Sequence, residues 1–415
     1  MADDIVSIKT GCCIVGGGPA GMMLGLMLAR AGVEVTVLEK HADFFRDFRG
    51  DTIHPSTLEL VYELGLLPEF LTRPHEEVRR LNAVIGSSTI RVADFTHLPT
   101  HCRFVALMPQ WDFLNFLAEK ARRYPNFRLL METEATCLIE EGGRVTGVRA
   151  RKGQGELTLP ADLVVGADGR HSRLRDLAGL PVERLGSPID VLWMRLSRRP
   201  TDGDEPLGRI NGGRILVMLN RDSYWQCALV IRKDGFEAIK QQGLGAVHEA
   251  IARSAPYMSD RVGELKSWDD IKLLTVTVDR LTRWYRPGLL FIGDAAHAMS
   301  PIGGVGINLA IQDSAAAANI LAAPLRQGTP TDGQLEAVQR RRLLPTRVIQ
   351  WLQVTIQNRV IGPVLAKDTE IVPPWQLRLI GRLPLLQRIP ARLVGMGIRP
   401  EHVRTIEQPP VRKAP

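Results

Sequence analysis

Residues 10–40 read TGCCIVGGGPAGMMLGLMLARAGVEVTVLEK, and the fold follows from that stretch. An apolar run, Cys12-Cys13-Ile14-Val15, leads into the glycines and predicts a buried parallel strand. Good helix formers follow from Met22 to Ala31, and a second apolar strand, Val33 to Leu38, ends on Glu39 and Lys40. This is the dinucleotide-binding pattern. Gly16 makes the tight turn, Gly18 lets a pyrophosphate approach the backbone, and Gly21 lets helix and strand pack closely. Pro19 and Ala20 complete the loop, and the helix behind it offers free N–H groups and a positive dipole end to the phosphates. Glu39, 18 residues past Gly21, is placed to accept hydrogen bonds from a ribose.

Between Gly11 and Gly32 the only charge is Arg30, which on hydropathy resembles a membrane span or signal peptide. The glycines, the proline and the acidic Asp3 and Asp4 ahead of the run argue instead for a soluble core element with no targeting segment.

The chain has 415 residues, enough for two or three domains. Its five cysteines are few and irregularly spaced, and no CxxC occurs. Neither a disulfide framework nor a metal site is implied, and a reducing cytoplasm is the expected setting. The net charge is +8. Residues 331–415 carry 14 Lys and Arg against 6 Asp and Glu, so the first 330 residues are neutral overall. That balance gives no support to nucleic-acid binding by the main body, and none is expected.

Further along, a helix is predicted from Pro55 to Leu66, a hairpin over Val78–Ile85 and Thr89–Phe95, and an amphipathic helix from Gln110 to Lys120. Strands follow at 127–131, 135–140, 145–150 and 156–159, and Leu163-Val164-Val165 leads into Gly166-Ala167-Asp168-Gly169. Residues 187–278 are β-rich, with strands at 190–196, 214–219, 225–231 and 271–278 and a helix at 245–254. A last buried strand, 289–292, ends in Gly293-Asp294-Ala295-Ala296-His297. Then come the loop Pro301-Ile302-Gly303-Gly304-Val305-Gly306-Ile307-Asn308, a helix from Leu309 to Ala322, and a helical tail.

Three motifs therefore stand in fixed order, GGGPAG at 16–21, GADG at 166–169 and GDAAH at 293–297, with PIGGVGIN at 301–308. Over residues 10–320 this resembles the class A, para-hydroxybenzoate hydroxylase-like flavin monooxygenases. The resemblance implies an α/β fold, α+β overall. A Rossmann-like FAD-binding domain (1–77, 99–186 and 279–330) is interrupted by a β-sheet substrate domain (78–98 and 187–278), and a helical basic segment (331–415) follows. It implies FAD as cofactor, NAD(P)H as co-substrate, O2, and hydroxylation of a small aromatic, phenol- or quinone-like molecule. An FAD-dependent reductase or oxidase without oxygen insertion is the alternative.

By the same resemblance, Gly16, Gly18 and Gly21 hold the pyrophosphate and Glu39, followed by Lys40, the ribose. Arg49 and Gln110 match positions touching phosphate and ribityl, and Asp168 the motif serving FAD and the nicotinamide cofactor. Asp294 matches the acid that holds ribityl hydroxyls. Pro301, Gly304 and the N–H groups of Gly306, Ile307 and Asn308 border the isoalloxazine. Two plainer readings stay open: Asp168 bridging turn amides and Asp294 capping the residues after it. His297 is read as a packing residue rather than a proton donor. No side-chain nucleophile is required, and no catalytic residue is assigned.

The substrate is expected between flavin and β-rich domain, against Trp193, Arg195, Met218, Trp225 and Gln226. Counterparts of the phenol-ionising tyrosines and carboxylate-binding serine and arginine of para-hydroxybenzoate hydroxylase are not found, so its own substrate is not implied. In the tail, Trp375 to Leu386 interleaves arginines with apolar residues. Such a surface suits peripheral membrane contact, packing on the FAD domain, or a homodimer.

Overall fold

The computed structural model describes residues 6–45, 52–202, 208–221, 223–366 and 371–408. A five-stranded parallel sheet lies at its centre. Thr10–Val15 is the middle strand, flanked on one side by Val35–Leu38 and then Phe127–Leu130, on the other by Gly155–Gly166 and then Leu289–Phe291. One row across it reads Leu290, Val165, Ile14, Val37, Leu129, and the first four are fully buried. Burial on both faces is why these strands appear in sequence as unbroken apolar runs. Helices Pro19–Arg30, Gln110–Ala121 and Gly306–Gln327 cover one face. Gly25 brings the first of them so close that a Cβ there would lie 2.9 Å from a Val37 methyl.

Gly155–Gly166 is a single strand where two were expected. Its first half pairs antiparallel with Arg144–Lys152, which pairs with Thr133–Glu141; its second half joins the parallel sheet. Pro160 does not break it. Pro160 lies opposite Gly147, where a Cβ would meet the Leu159 carbonyl at 2.4 Å, so the missing side chain admits the neighbouring backbone.

The second sheet has seven strands, in the order Lys272–Leu274, Ile189–Ser197, Tyr224–Arg232, Arg214–Asn220, Gly208–Asn211, Arg80–Ile85 and Ser88–Asp94. The early hairpin is joined to the later strands by one parallel pairing, Gly208–Asn211 with Arg80–Ile85. The strand expected over 271–278 is regular only at Lys272–Leu274. Beyond it, side chains replace the ladder: Val276 N–H donates to Asp190 Oδ1 (2.9 Å) and Lys233 Nζ to the Val276 carbonyl (3.0 Å).

Alternation along this sheet corrects the expected substrate face. Leu192, Met194, Met218, Trp225 and Cys227 point to the side covered by helix Gly245–Ser254, where Val247 and Ile251 complete a core. Val191, Trp193, Val217 and Ala228 point the other way, toward Ile302 of the 301–308 loop. Arg195 pairs with Gln226 in the same register as Trp193 with Ala228, so both share the Trp193 face. Met218 and Trp225 therefore cannot line a site between the layers.

The predicted helix from Leu309 already starts at Gly306 and continues to Gln327. The tail begins with Asp332–Ile356, which widens into a π-turn over Gln357–Ile361. Helices Trp375–Arg382 and Pro384–Gly395 pack on strand Ser88–Asp94 and the turn after it; Cβ atoms on Gly381 and Gly395 would lie 2.9 Å from Ile90 and 2.7 Å from Leu98. Residues 401–408 then run as a strap over the helices of the parallel layer. Asn319 Nδ2 donates to the His402 carbonyl (2.7 Å), Val403 N–H to Glu63 (2.6 Å), and Arg30 Nη1 to the Thr405 carbonyl (2.8 Å). No helix among the described residues is long and apolar enough to cross a membrane.

Candidate functional site

The three glycine turns, two of them carrying an aspartate, meet at the carboxyl ends of the parallel strands. Gly16 has φ +111°, and a Cβ on it would sit 2.3 Å from the Ala167 carbonyl, so the first turn lies directly on GADG. Ala167 N–H donates to the Val15 carbonyl (2.8 Å), and Ile292 N–H to that of Gly166 (3.1 Å). Gly293, at φ +59°, is wedged between Ala20 and Ala310, with 3.1 Å from its would-be Cβ to either methyl. Ser314 Oγ donates to the Ala20 carbonyl (2.8 Å), tying the two long helices together at the same point.

The glycines divide by role. A Cβ on Gly21 would strike the Gly16 carbonyl at 1.9 Å, so this position is closed by the protein itself. A Cβ on Gly18 would meet nothing within 4 Å. Gly18 caps helix Pro19–Arg30 with no side-chain hydrogen bond and no acid in the first turn. Free N–H groups thus face open space, which fits the pyrophosphate of FAD. Glu39 folds back onto this loop, accepting from Gly17 N–H (3.1 Å), His41 N–H (3.0 Å) and lying 2.6 Å from His41 Nδ1. Lys40 is exposed beside it. Gln110 opens the helix Gln110–Ala121, and its neighbour Trp111 packs on Phe45 with ring centroids 4.9 Å apart. Arg49 lies outside the described residues.

Asp294 is half-buried, its Oδ2 3.4 Å from Arg170 Nη2. It makes no cap for the residues after it. Asp168 accepts from Ser172 Oγ (2.5 Å) and Leu174 N–H (3.2 Å), holding the start of helix Arg173–Ala178, which is the turn-bridging geometry. Burial pushes its carboxyl above the usual range, against the pull of those hydrogen bonds.

The 301–308 loop is braced from residues 52–57. Asn308 Oδ1 accepts from His54 N–H (2.9 Å) and Thr57 Oγ1 (2.7 Å), and its Nδ2 donates to the carbonyls of Thr52 (3.2 Å) and Gly304 (3.3 Å). With both amide atoms engaged, the Asn308 side chain sets the loop. Gly304, at φ +63°, also accepts from Thr52 Oγ1 (3.0 Å). Pro301 begins this loop, and the helix begins at Gly306, so the N–H groups of Gly306, Ile307 and Asn308 lie in a first turn with no side-chain cap. That is where an acceptor edge of the flavin gains most. His54 is buried and donates its Nδ1–H to the Val394 carbonyl (2.7 Å); burial lowers its pKa to about 4.

Behind these turns lies a layer that sequence reasoning missed. Asp313, fully buried, accepts from Gly293 N–H (3.1 Å), lies 2.5 Å from His297 Nε2, and accepts from Arg342 Nε (3.0 Å). Burial alone would raise its carboxyl; His297 and Arg342 outweigh that and hold it low. Arg342 reaches on to Glu401 (3.3 Å) of the strap. His297 is thus sequestered behind the site. Next to it, Gln350, Gln353 and Gln357 form a buried ladder. Gln350 donates to the carbonyls of Asp279 and Ala298, Gln353 to those of Ser300 and Ile302, and Gln357 to Ser300 Oγ. The signal available in sequence was a stripe of polar residues at helical spacing, Arg342, Gln350, Gln353 and Gln357, on a helix otherwise apolar on that side. Among the described residues no cluster of metal-binding side chains occurs.

Comparison with known proteins agrees with this geometry. The FAD binding domain family matches residues 9–352, and the chain belongs to that family. It is 35% identical over 398 residues to 6-methylpretetramide 4-monooxygenase of Streptomyces rimosus, covering 95% of this chain and 94% of that one. It is 27% identical to 4-methyl-5-nitrocatechol 5-monooxygenase of a Burkholderia species, covering 81% and 64%. In fold it matches the crystal structure of p-nitrophenol 4-monooxygenase from Pseudomonas putida with a TM-score of 0.76, at 20% identity, over 93% and 97% of the two chains. The chain is an FAD-dependent aromatic monooxygenase of the para-hydroxybenzoate hydroxylase-like class.

Proposed function

We propose that this monooxygenase takes reducing equivalents from NADH or NADPH and hydroxylates a large, apolar, phenol- or quinone-like ring system. The observation that carries the substrate class is the apolar sheet face of Val191, Trp193, Val217 and Ala228, which turns toward Ile302 of the 301–308 loop and packs against it. The likeness to a 6-methylpretetramide 4-monooxygenase over nearly the whole chain supports the same class.

FAD supplies the oxygen activation when bound, and the chain's residues hold and seal it. Gly16, Gly18, Gly21 and the N–H groups after Pro19 and Ala20 take the pyrophosphate. Glu39 takes the ribose; Asp294, oriented by Arg170, takes ribityl hydroxyls. The N–H groups of Gly306, Ile307 and Asn308, in an uncapped first turn, would hold the flavin's acceptor edge and would favour the negative charge of its reduced form. The apolar wall excludes water, which favours oxygen transfer to substrate over release as hydrogen peroxide. In this reading residues 1–77, 99–186 and 279–330 serve the cofactor, and 78–98 and 187–278 the substrate. Five free thiols support a reducing, cytoplasmic setting.

The test is NADH and NADPH oxidation by the FAD-loaded enzyme across a panel of fused-ring phenols that includes 6-methylpretetramide, with product mass measured under ¹⁸O₂. Stimulated oxidation and one labelled oxygen in the product are expected. A turned-over substrate without label points to a reductase or oxidase and refutes the reading.

A further inference from the structure

The two helices Trp375–Arg382 and Pro384–Gly395 bury one side and leave the other without a partner. Gln387, Ala391 and Gly395 face inward. The outward side carries Trp375 and Leu385, each 69% exposed, Ile389 at 65%, and Leu379 and Leu383. On soluble proteins apolar side chains of this size are exposed singly; here four sit on two consecutive helices and a fifth, Leu383, at their junction.

Interleaved with them, and also exposed, are Arg378, Arg382, Arg388 and Arg392. None of the four forms an ion pair among the described residues, and no Asp or Glu occurs between 371 and 400. A surface that is apolar and cationic at once, with no acid, is poorly matched to water and to most protein surfaces. It is matched to the boundary layer of a bilayer, where tryptophan and leucine side chains enter the acyl region and guanidinium groups reach lipid phosphates along their own aliphatic stems. The helices are seated on the edge hairpin of the second sheet through Ile90 and on Leu98, so their outward face is carried by a rigid support.

We infer that the outward face of residues 375–395 docks the enzyme peripherally on an anionic lipid surface. The site is separate from the flavin turns, and the inference does not depend on which substrate is hydroxylated. Attraction to an anionic surface amounts to about fivefold in partitioning per arginine, and it weakens as salt shortens the reach of the charges.

The test uses the full-length FAD-loaded enzyme sedimented with vesicles of phosphatidylcholine plus phosphatidylglycerol, and with phosphatidylcholine alone, at low and physiological ionic strength. Binding to the anionic vesicles, weaker with salt and near background on the zwitterionic ones, is expected. Exchanging two arginines (Arg382→Gln with Arg388→Gln) lowers partitioning about twentyfold or more, and Trp375→Ser with Leu385→Ser lowers it further, with bound FAD unchanged in each variant. These are exposed residues, and circular dichroism checks that the variants remain folded. No sedimentation with anionic vesicles at low salt overturns the inference. So does sedimentation that both double variants retain in full. A dimer in solution that the Trp375→Ser, Leu385→Ser variant dissociates, in protein that ignores vesicles, assigns the face to a second copy of this chain instead.

Discussion

Replacing Asp313 by Asn tests whether the layer behind the turns holds the cofactor site in place. The carboxylate has three partners: Gly293 N–H, His297 Nε2 and Arg342 Nε. An amide of the same size keeps an acceptor for one side only. With its oxygen toward Arg342, its NH2 faces the Gly293 N–H, and a buried donor is left unsatisfied; Arg342 keeps its hydrogen bond but has, among the described residues, only Glu401 left as a charged partner. Breaking a buried ion pair from one side costs about 3–5 kcal/mol. Unfolding all 415 residues carries an entropy of about 0.9 kcal/mol/K, from roughly 2.1 cal/mol/K per residue. The expected fall in Tm is therefore about 3–6 °C, read by calorimetry on the apoprotein. Because Gly293 precedes Asp294, FAD affinity, read by flavin fluorescence on dilution, should fall as well. Exchanging both charges, Asp313→Leu with Arg342→Met, should cost less than the sum of the single exchanges. An Asn variant that melts within about 1 °C of the parent and keeps its FAD would refute the claim that this carboxylate holds the turn.

The glycines give a paired prediction: Gly18→Ala should fold and melt as the parent does but bind FAD weakly, since its methyl enters open space, whereas Gly21→Ala should lose stability outright against the Gly16 carbonyl. His54 gives a pH dependence. Its folded pKa is lowered from 6.5 to about 4, so its contribution is complete above pH 6.5 and is lost as pH falls from there toward 4. The loss is about 3 kcal/mol, seen as a fall in Tm over that window which a His54→Asn variant should largely lack. Gln353→Leu leaves Ser300 N–H and the Ser300 and Ile302 carbonyls without partners. Its expected signature is more hydrogen peroxide per NAD(P)H consumed, measured by coupled peroxide assay, with little change in FAD content. Trp193→Ala should raise KM for the aromatic substrate while Trp225→Ala, on the far side of the sheet, should act through stability alone.

What sequence revealed and what it hid differ for physical reasons. The stretch Thr10–Lys40 was legible because a turn that presses on another backbone demands glycine, as Gly16 and Gly21 do. The convergence of GADG and GDAAH on it was legible for the same reason, through Gly293 between two alanines. The facing of the second sheet was not. It is covered on both sides, so Met218 and Trp193 look equally apolar, and alternation carries no sign of which side meets the flavin loop. The strand 155–166 read as two pieces because the tolerance of Pro160 within it depends on Gly147, a neighbour only in space. Asp313 lay hidden in the helix Gly306–Gln327, just before a run of alanines; its partners His297 and Arg342 sit 16 and 29 residues away.

The strap over residues 401–408 bears on how the molecule is made. Arg30 leaves the ribosome early, yet the carbonyl of Thr405 that it grips is synthesised hundreds of residues later. Arg342 likewise waits for Glu401. The nucleotide-binding half can therefore collapse during translation but cannot be fastened until residues 401–405 have been made. Nascent polypeptides halted shortly before that point should carry a protease-sensitive helix Pro19–Arg30, and become resistant once residues 401–408 are released.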